Sequence, residues 1–353
     1  MRYTIAVIPG DGIGPEVISA SLEVIVRAAE LEGTELLFEM LPYSADHYLK
    51  TGVTLPDDAF RHLRDDVDAI FLGALGDPRV PDNEHARDIL LGLRFRLDLY
   101  INFRPVTLLH PRLTPLKVAE RQDGGAAIDF VVFRENTEGQ YQGFGRAENV
   151  GTPDEKLISE EIHTLKGVRR IITAAFEWAA AHNRTRITLC DKSNAVPFHK
   201  IWGRVFAEVG EGFPGITREH RYVDALAMEL VREPGRFQVI VANNLYGDIL
   251  SDLGAGLVGG LGLAGSANLH PGCTGLFEPV HGSAPPLAGK DVANPMAAVI
   301  TGALMLESLG SPAAARRLET AVKGVLAEGP TTPDIGGTAG TREVAKAMLQ
   351  SLG

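Results

Sequence analysis

The segment YGDILSDLG carries Asp248 and Asp252 four residues apart. If it is helical, both carboxylates project from one face. Two such oxygens suit a hard divalent cation, Mg2+ or Mn2+, whose remaining positions go to substrate oxygens and water. Asp224, in RYVDALAMEL, can join them from elsewhere in the chain; taken alone, it reads better as a cap for the helix ALAMELV and the other two as a solvated face, and only their combination favours a metal. Two further residues can move protons. Lys192, in DKSN, follows a buried apolar run, a position open to a general base. Tyr141, in RENTEGQY, can donate a proton, or it can pack with its hydroxyl in water. Arg94 and Arg104, in LLGLRFRLDLYINFRP, can fork with Arg134 around the two carboxylates of a small acid.

These residues need rigid elements to hold them. YTIAVI, DAIFLG, DFVVF, RITLC and FQVIVAN predict buried strands, several followed by helix-length segments. That is the pattern of a largely parallel α/β sheet. GPEVISASLEVIVRAAE predicts a helix with Pro15 and Glu16 in its first turn, and a second helix is expected from Glu160 to His182. FGRAENVGTPDEKLIS is polar and punctuated by glycine and proline, which predicts an arm outside the core. In open α/β sheets ligands gather beyond the carboxyl ends of strands. Three such ends carry chemistry: Arg134, Glu135, Asn136 and Tyr141 after FVVF; Asp191 to Asn194 after RITLC; Asn243, Asn244, Asp248 and Asp252 after VIVAN.

Two glycine-rich stretches invite a dinucleotide reading. GAGLVG, from Gly254, matches the Rossmann fingerprint in form, with Glu278 about 20 residues on. The preceding strand ends near Ala242, too early for a strand-to-helix turn, so helix packing is expected instead. PGDGIG, from Pro9, has the wrong glycine spacing and predicts a tight turn.

The 353 residues exceed the ~250–300 at which one core stops growing, so two lobes are expected. A hydrophobic share of 45% and a charged share of 22% describe an ordinary globular chain. A net charge of -11 repels nucleic acid and anionic lipid, so any anionic ligand needs a local arginine cluster. No apolar run reaches signal-peptide or membrane-spanning length. Cys190 and Cys273 stand far apart without metal-like spacing, and a reducing cytoplasm is expected.

Together, PGDGIGPEV, LLGLR, NFRPV, RENTEGQY, DKSN, NNLYGDILSDL, FEPVHGSAP, ANP and TPDIGG resemble the β-decarboxylating dehydrogenases of the isocitrate/isopropylmalate dehydrogenase family, from end to end and in order. The resemblance implies an α/β two-domain fold with a large mixed sheet, not a Rossmann fold. Residues 1–100 and 256–353 would form one domain, 101–255 the other, with the active site between them. It implies that Arg94, Arg104 and Arg134 bind substrate carboxylates, that Tyr141 and Lys192 move protons, and that Asp224, Asp248 and Asp252 hold Mg2+ or Mn2+. It assigns NAD to Glu278, His281, Gly282, Ser283, Ala284 and Leu287, together with Asn294 and Asp334. It further implies a homodimer in which Lys192 and Asp224 serve the partner's site.

The implied reaction is NAD-dependent oxidative decarboxylation of a 2-hydroxy dicarboxylic acid. Leu90, Leu91 and Leu93 offer the apolar wall that 3-isopropylmalate needs, or are ordinary helix packing. Three positions depart from the isopropylmalate pattern: Arg87, where glutamate is common, Ala195, where valine is, and Pro286, where an aspartate meets the ribose. Tartrate or D-malate, then homoisocitrate or isocitrate, are the alternative substrates. A non-enzymatic alternative is an acid-binding protein that kept the fold and lost catalysis.

Overall fold

The computed structural model describes residues 1–117 and 127–353. Two compact units emerge: Met1–Leu99, Arg104–Ala127 and Ala255–Gly353 form the first, and Tyr100–Phe103 and Ile128–Gly254 the second. The expected division placed everything from residue 101 to 255 together. Instead the stretch from Arg104 clusters with the first unit, because the chain changes unit inside a strand rather than at a loop.

Among the described residues the strands are β1 (Arg2–Gly10), β2 (Glu35–Met40), β3 (Ala69–Ala74), β4 (Ile101–Thr107), β5 (Asp129–Glu135), β6 (Gly145–Glu148), β7 (Lys156–Ser159), β8 (Arg186–Asp191), β9 (Thr217–Tyr222), β10 (Val239–Ala242), β11 (Gly265–Leu269) and β12 (Gly275–Pro279). The helices are α1 (Gly14–Leu31), α2 (Ala45–Thr51), α3 (Asp57–Asp65), α4 (Glu84–Arg96), α5 (Leu165–Ala181), α6 (Lys200–Gly210), α7 (Val223–Arg232), α8 (Asn244–Leu257), α9 (Met296–Ser308), α10 (Pro312–Glu328) and α11 (Thr341–Leu352).

In the first unit the strands follow the order β2-β1-β3-β12-β11-β4. β1 is parallel to β2 and β3, β12 is parallel to β3, and β11 runs antiparallel to β12. The sheet is therefore mixed. Ile5 to Ile8 of β1 are wholly buried, as expected for parallel strands covered on both faces. Helices α1, α9, α10 and α11 pack together. A separate apolar cluster joins Phe60 and Leu63 of α3 with Leu72 of β3 and Ile89 and Leu93 of α4. In the second unit the order β5-β10-β8-β9 is parallel throughout. α5 and α6 cover it through the buried Phe176, Trp202 and Phe206.

Three expectations meet the structure directly. The polar stretch after Phe144 is an exposed antiparallel ribbon of β6 and β7. Gly254 and Gly256 lie inside α8, so the fingerprint-like glycines belong to a helix. The helix expected from Glu160 starts later, at Leu165, with Thr164 as its cap: the Thr164 hydroxyl oxygen accepts the Gly167 N–H at 2.9 Å. Glu138 accounts for the delay. Its carboxylate accepts the Thr164 N–H at 2.8 Å and the Thr164 hydroxyl at 2.5 Å, and the Gly139 N–H donates to the Ile162 carbonyl at 2.9 Å. Residues 160–163 are thereby drawn toward the loop after β5 instead of continuing the helix.

The PGDG turn after β1 is closed by its own chemistry. Gly10 and Gly12 have positive φ, and a Cβ on Gly12 would lie 1.9 Å from the Ser283 carbonyl oxygen. The buried Asp11 carboxylate accepts N–H groups of Ala45 at 2.7 Å and Gly76 at 2.9 Å, and pairs with His85 Nε2 at 2.8 Å. Ile13 N–H donates to Ser283 at 2.8 Å, which ties the turn to the segment after β12. Gly12→Ala should therefore lower stability by at least about 2 kcal/mol through left-handed strain plus overlap. Chemical unfolding of the variant is the check; an unchanged midpoint and slope would refute this account of the turn.

Candidate active site

In the second unit, the penultimate residue of β5 is Arg134, whose side chain is among the largest fully buried. A buried guanidinium is stable only where its donors are matched. Nε donates to Asn244 Oδ1 at 2.9 Å, and Nη1 pairs with Asp248 Oδ1. These acceptors lie one turn apart on α8. Gly247, between them, lets the helix come close, since a Cβ there would sit 2.6 Å from Arg134 Cβ. Tyr141 lies in a short 3-10 turn after β5, and its hydroxyl donates to Asp248 Oδ2 at 2.8 Å. The Arg134 guanidinium carbon stands 5.4 Å from the Tyr141 ring centre. Asp248 and Asp252 do share one helix, four residues apart, with Asp252 exposed.

The intervening loop is built by its own acids. Glu135 accepts from the Thr137 hydroxyl at 2.8 Å and the Glu138 N–H at 2.7 Å. Burial pushes its carboxyl pKa up, against the pull of those donors. With Glu138 bound to Thr164, both acids shape the loop.

Lys192 follows β8, and its Nζ meets Asp224 Oδ1 at 2.5 Å. Asp224 sits in the first turn of α7, one residue past the N-terminal Val223. The Lys192 ammonium holds the exposed Asp224 carboxyl below its ordinary value. Two of the three metal candidates are thus already bonded to the proton-transfer candidates, Asp224 to Lys192 and Asp248 to Tyr141. Aspartate oxygens suit a hard cation and keep lone pairs beyond those used here, but among the described residues the group of three close ligand atoms is Glu161, His163 and His199, not these aspartates.

Sequence patterns passed over one cluster. Glu161 Oε2 meets His199 Nε2 at 2.9 Å, and Oε1 lies 3.0 Å from His163 Nε2. Asn243 Nδ2 also donates to Oε1, at 3.0 Å. Burial opposes the charge on Glu161, but the two imidazoles beside it outweigh that and bring the carboxyl down to about 2. The only local signal was EEIH at residues 160–163, hidden inside the expected helix.

In the first unit, Arg94 of α4 donates through Nη2 to Glu278 Oε1 at 2.7 Å, and Asn268 Nδ2 reaches the same oxygen at 3.0 Å. Both charged residues are buried. Arg104 is buried at the start of this unit's share of β4. Leu90 and Leu91 are half-buried, and Leu90 packs on the apolar cluster of α3 and α4. After β12, His281 Nδ1 contacts the Gly282 carbonyl at 3.1 Å, while Nε2 is buried with no hydrogen-bond partner among the described residues. Burial pulls the His281 pKa down, favouring the neutral ring. Ser283 is buried, Gly282 and Leu287 are exposed, and Ala284 adopts a left-handed conformation. Asn294 Nδ2 donates to Asp334 Oδ2 at 3.1 Å, and the Thr332 hydroxyl to Asp334 Oδ1 at 2.5 Å. An unsatisfied imidazole nitrogen beside an exposed loop fits a polar ligand such as a dinucleotide.

Since Arg94 is buried with Glu278, removing the acid alone leaves an uncompensated charge. Glu278→Ala should cost about 3 kcal/mol, and Glu278→Gln, which keeps an acceptor, clearly less. Equal unfolding free energies for the two variants would show that the pair is not what holds α4 to β12.

Residues 4–348 match the family described as isocitrate/isopropylmalate dehydrogenase. The chain is 45% identical over 339 residues to a 3-isopropylmalate dehydrogenase of Mycobacterium avium, covering 94% of this chain and 97% of that one. It is 43% identical over 358 residues to a decarboxylating D-malate dehydrogenase of Escherichia coli, covering 99% and 98%. The crystal structure of isocitrate dehydrogenase from Methylococcus capsulatus superimposes with a TM-score of 0.88 at 36% identity, over 99% of each chain. The chain belongs to the isocitrate/isopropylmalate dehydrogenase family, whose fold and decarboxylating dehydrogenase character it shares.

Proposed function

We propose that this chain catalyses NAD-dependent oxidative decarboxylation of a 2-hydroxy dicarboxylic acid, 3-isopropylmalate. The observation that carries this reading is the coupling of two proton-bearing groups to two carboxylates: Tyr141 on Asp248 and Lys192 on Asp224. Arg94, Arg104 and Arg134 would receive the substrate carboxylates, and Asp224, Asp248 and Asp252 would hold Mg2+ or Mn2+. Glu278, His281, Gly282, Ser283, Ala284, Leu287, Asn294 and Asp334 would line the NAD site. When bound, the dinucleotide supplies a hydride acceptor and the cation supplies positive charge beside the oxygen that becomes anionic.

The chain's own residues then handle the protons. Lys192, as the neutral amine, takes the 2-hydroxyl proton as C2 is oxidised. Loss of carbon dioxide from the resulting β-keto acid leaves an enolate, and Tyr141 delivers a proton to its carbon. The phenol O–H is donated to Asp248 in this structure, so it would turn from that carboxylate to deliver its proton. The exposed Pro286-Leu287 offers no cation to a 2′-phosphate, which supports NAD over NADP.

A homodimer with shared sites is part of the same proposal. Large apolar side chains lie open beside the site residues: Phe198 is 86% exposed, six residues after Lys192; Met228 is 52% exposed, one turn after Asp224; Ile249 is 52% exposed, next to Asp248. A second copy of the chain covering them would remove apolar surface from water at the positions that carry the chemistry.

Two assays test the reading. Purified protein with NAD, Mn2+ and 3-isopropylmalate should generate reduced nicotinamide absorbance, and chelator or Asp248→Asn should abolish it; undiminished turnover in EDTA would remove the metal from the reaction. Leu90→Ala should lower kcat/KM for 3-isopropylmalate about tenfold or more beyond its effect on D-malate, since only the branched acid would fill that wall. Equal losses would make Leu90 a packing residue, and a wild-type preference for D-malate would transfer the assignment to that acid.

A further inference from the structure

Glu161 lies between β7 and α5 and meets donors from two places in the second unit, His199 and Asn243. Each partner on the two functional paths makes a second bond. The Lys192 backbone N–H donates to His199 Nδ1 at 3.3 Å. Asn243 Oδ1 accepts the Tyr246 N–H at 2.8 Å, at the opening turn of α8, whose next turn carries Asp248. Two short chains of hydrogen bonds thus leave one carboxylate. One reaches the Lys192 backbone, the other the helix of Asp248.

The protonation pattern follows from the contacts. An imidazole nitrogen that accepts an N–H carries no proton, so the neutral His199 ring has its proton on Nε2, facing Glu161. The ring is boxed in by edge-to-face contacts with His163 and Tyr246. Ligand atoms of Glu161, His163 and His199 also lie within 4.8 Å of one another, a spacing open to a metal ion. The Nε2 proton weighs against that use, because a ligating nitrogen must present its lone pair.

We propose that Glu161 is a positioning residue for proton transfer, a single carboxylate that holds the Lys192 backbone and α8 in mutual register through His199 and Asn243. The proposal rests on the proton-transfer role given to Lys192 above. Only a carboxylate serves both paths at once, since both of its oxygens accept. Glutamine has one accepting oxygen: turned toward Asn243, it presents its NH2 to the His199 Nε2–H and forces the tautomer that faces the Lys192 N–H with another N–H. Turned the other way, it abandons Asn243.

The test uses the full chain labelled with 15N-lysine, with the Lys192 amide signal assigned by its loss in Lys192→Arg. In Glu161→Gln the Lys192 amide should shift while lysines elsewhere hold still. Turnover of 3-isopropylmalate or D-malate should fall about tenfold or more in kcat, with KM for acid and for NAD changed by no more than about twofold. An unmoved Lys192 amide, a wild-type kcat, or a Zn2+ titration that displaces the His199 Nε2 proton would each overturn the proposal. Should Glu161→Gln not fold, His199→Phe cuts the Lys192 path alone and must move the same amide. If Lys192→Ala turns over normally, the role assigned to Lys192 fails, and the amide shift still reports whether Glu161 holds that loop.

Discussion

Burying a guanidinium creates a demand that a fold must satisfy before anything else near it can be arranged. Arg134 is 1% exposed, and an ion removed from water costs several kcal/mol unless it is paired. α8 meets the demand with Asn244 and Asp248, one turn apart, while the bare backbone of Gly247 lets it approach. Once the helix is pinned there, the rest follows from helical geometry. Asp252 is carried on the same side as Asp248, and the Tyr141 hydroxyl has a carboxylate to donate to. A structural ion pair thus doubles as the frame for the proposed chemistry.

The first unit repeats this solution with different parts. Arg94 is buried against Glu278, and Asn268 adds a second donor to the same carboxylate oxygen. In a chain of net charge -11, an acidic ligand needs such places, where positive charge is kept away from solvent screening. Each arginine is also held by its own acid, so its direction is set before any ligand arrives. For the proposed acid ligand that pre-organisation would lower the cost of binding, and it limits how far the carboxylate partner can be altered without loss of stability.

Much of the architecture was legible because it is written in local patterns. The strands β1, β3, β5, β8 and β10 lie on the apolar runs, and the spacing of Asp248 and Asp252 read correctly as one helix. The misplaced helix start at Glu160 has a different origin. The pattern there continues smoothly into α5, and it is the Glu138 carboxylate, 26 residues from Thr164, that holds the capping Thr164 and so sets the later start. Glu161 and His199 escaped notice for the same reason: 38 residues separate them, and neither stands in a motif.

By itself the sequence determined the elements and their membership in a family, since hydrophobic periodicity and ordered motifs need no knowledge of long-range contacts. It also determined which residue types were available for chemistry. Tertiary structure alone decided the pairings: Asp224 with Lys192, Asp248 with both Arg134 and Tyr141, Arg94 with Glu278. It also decided that the chain would change unit within β4. Buried charges choose partners by proximity in space, under a desolvation cost that no spacing along the chain records.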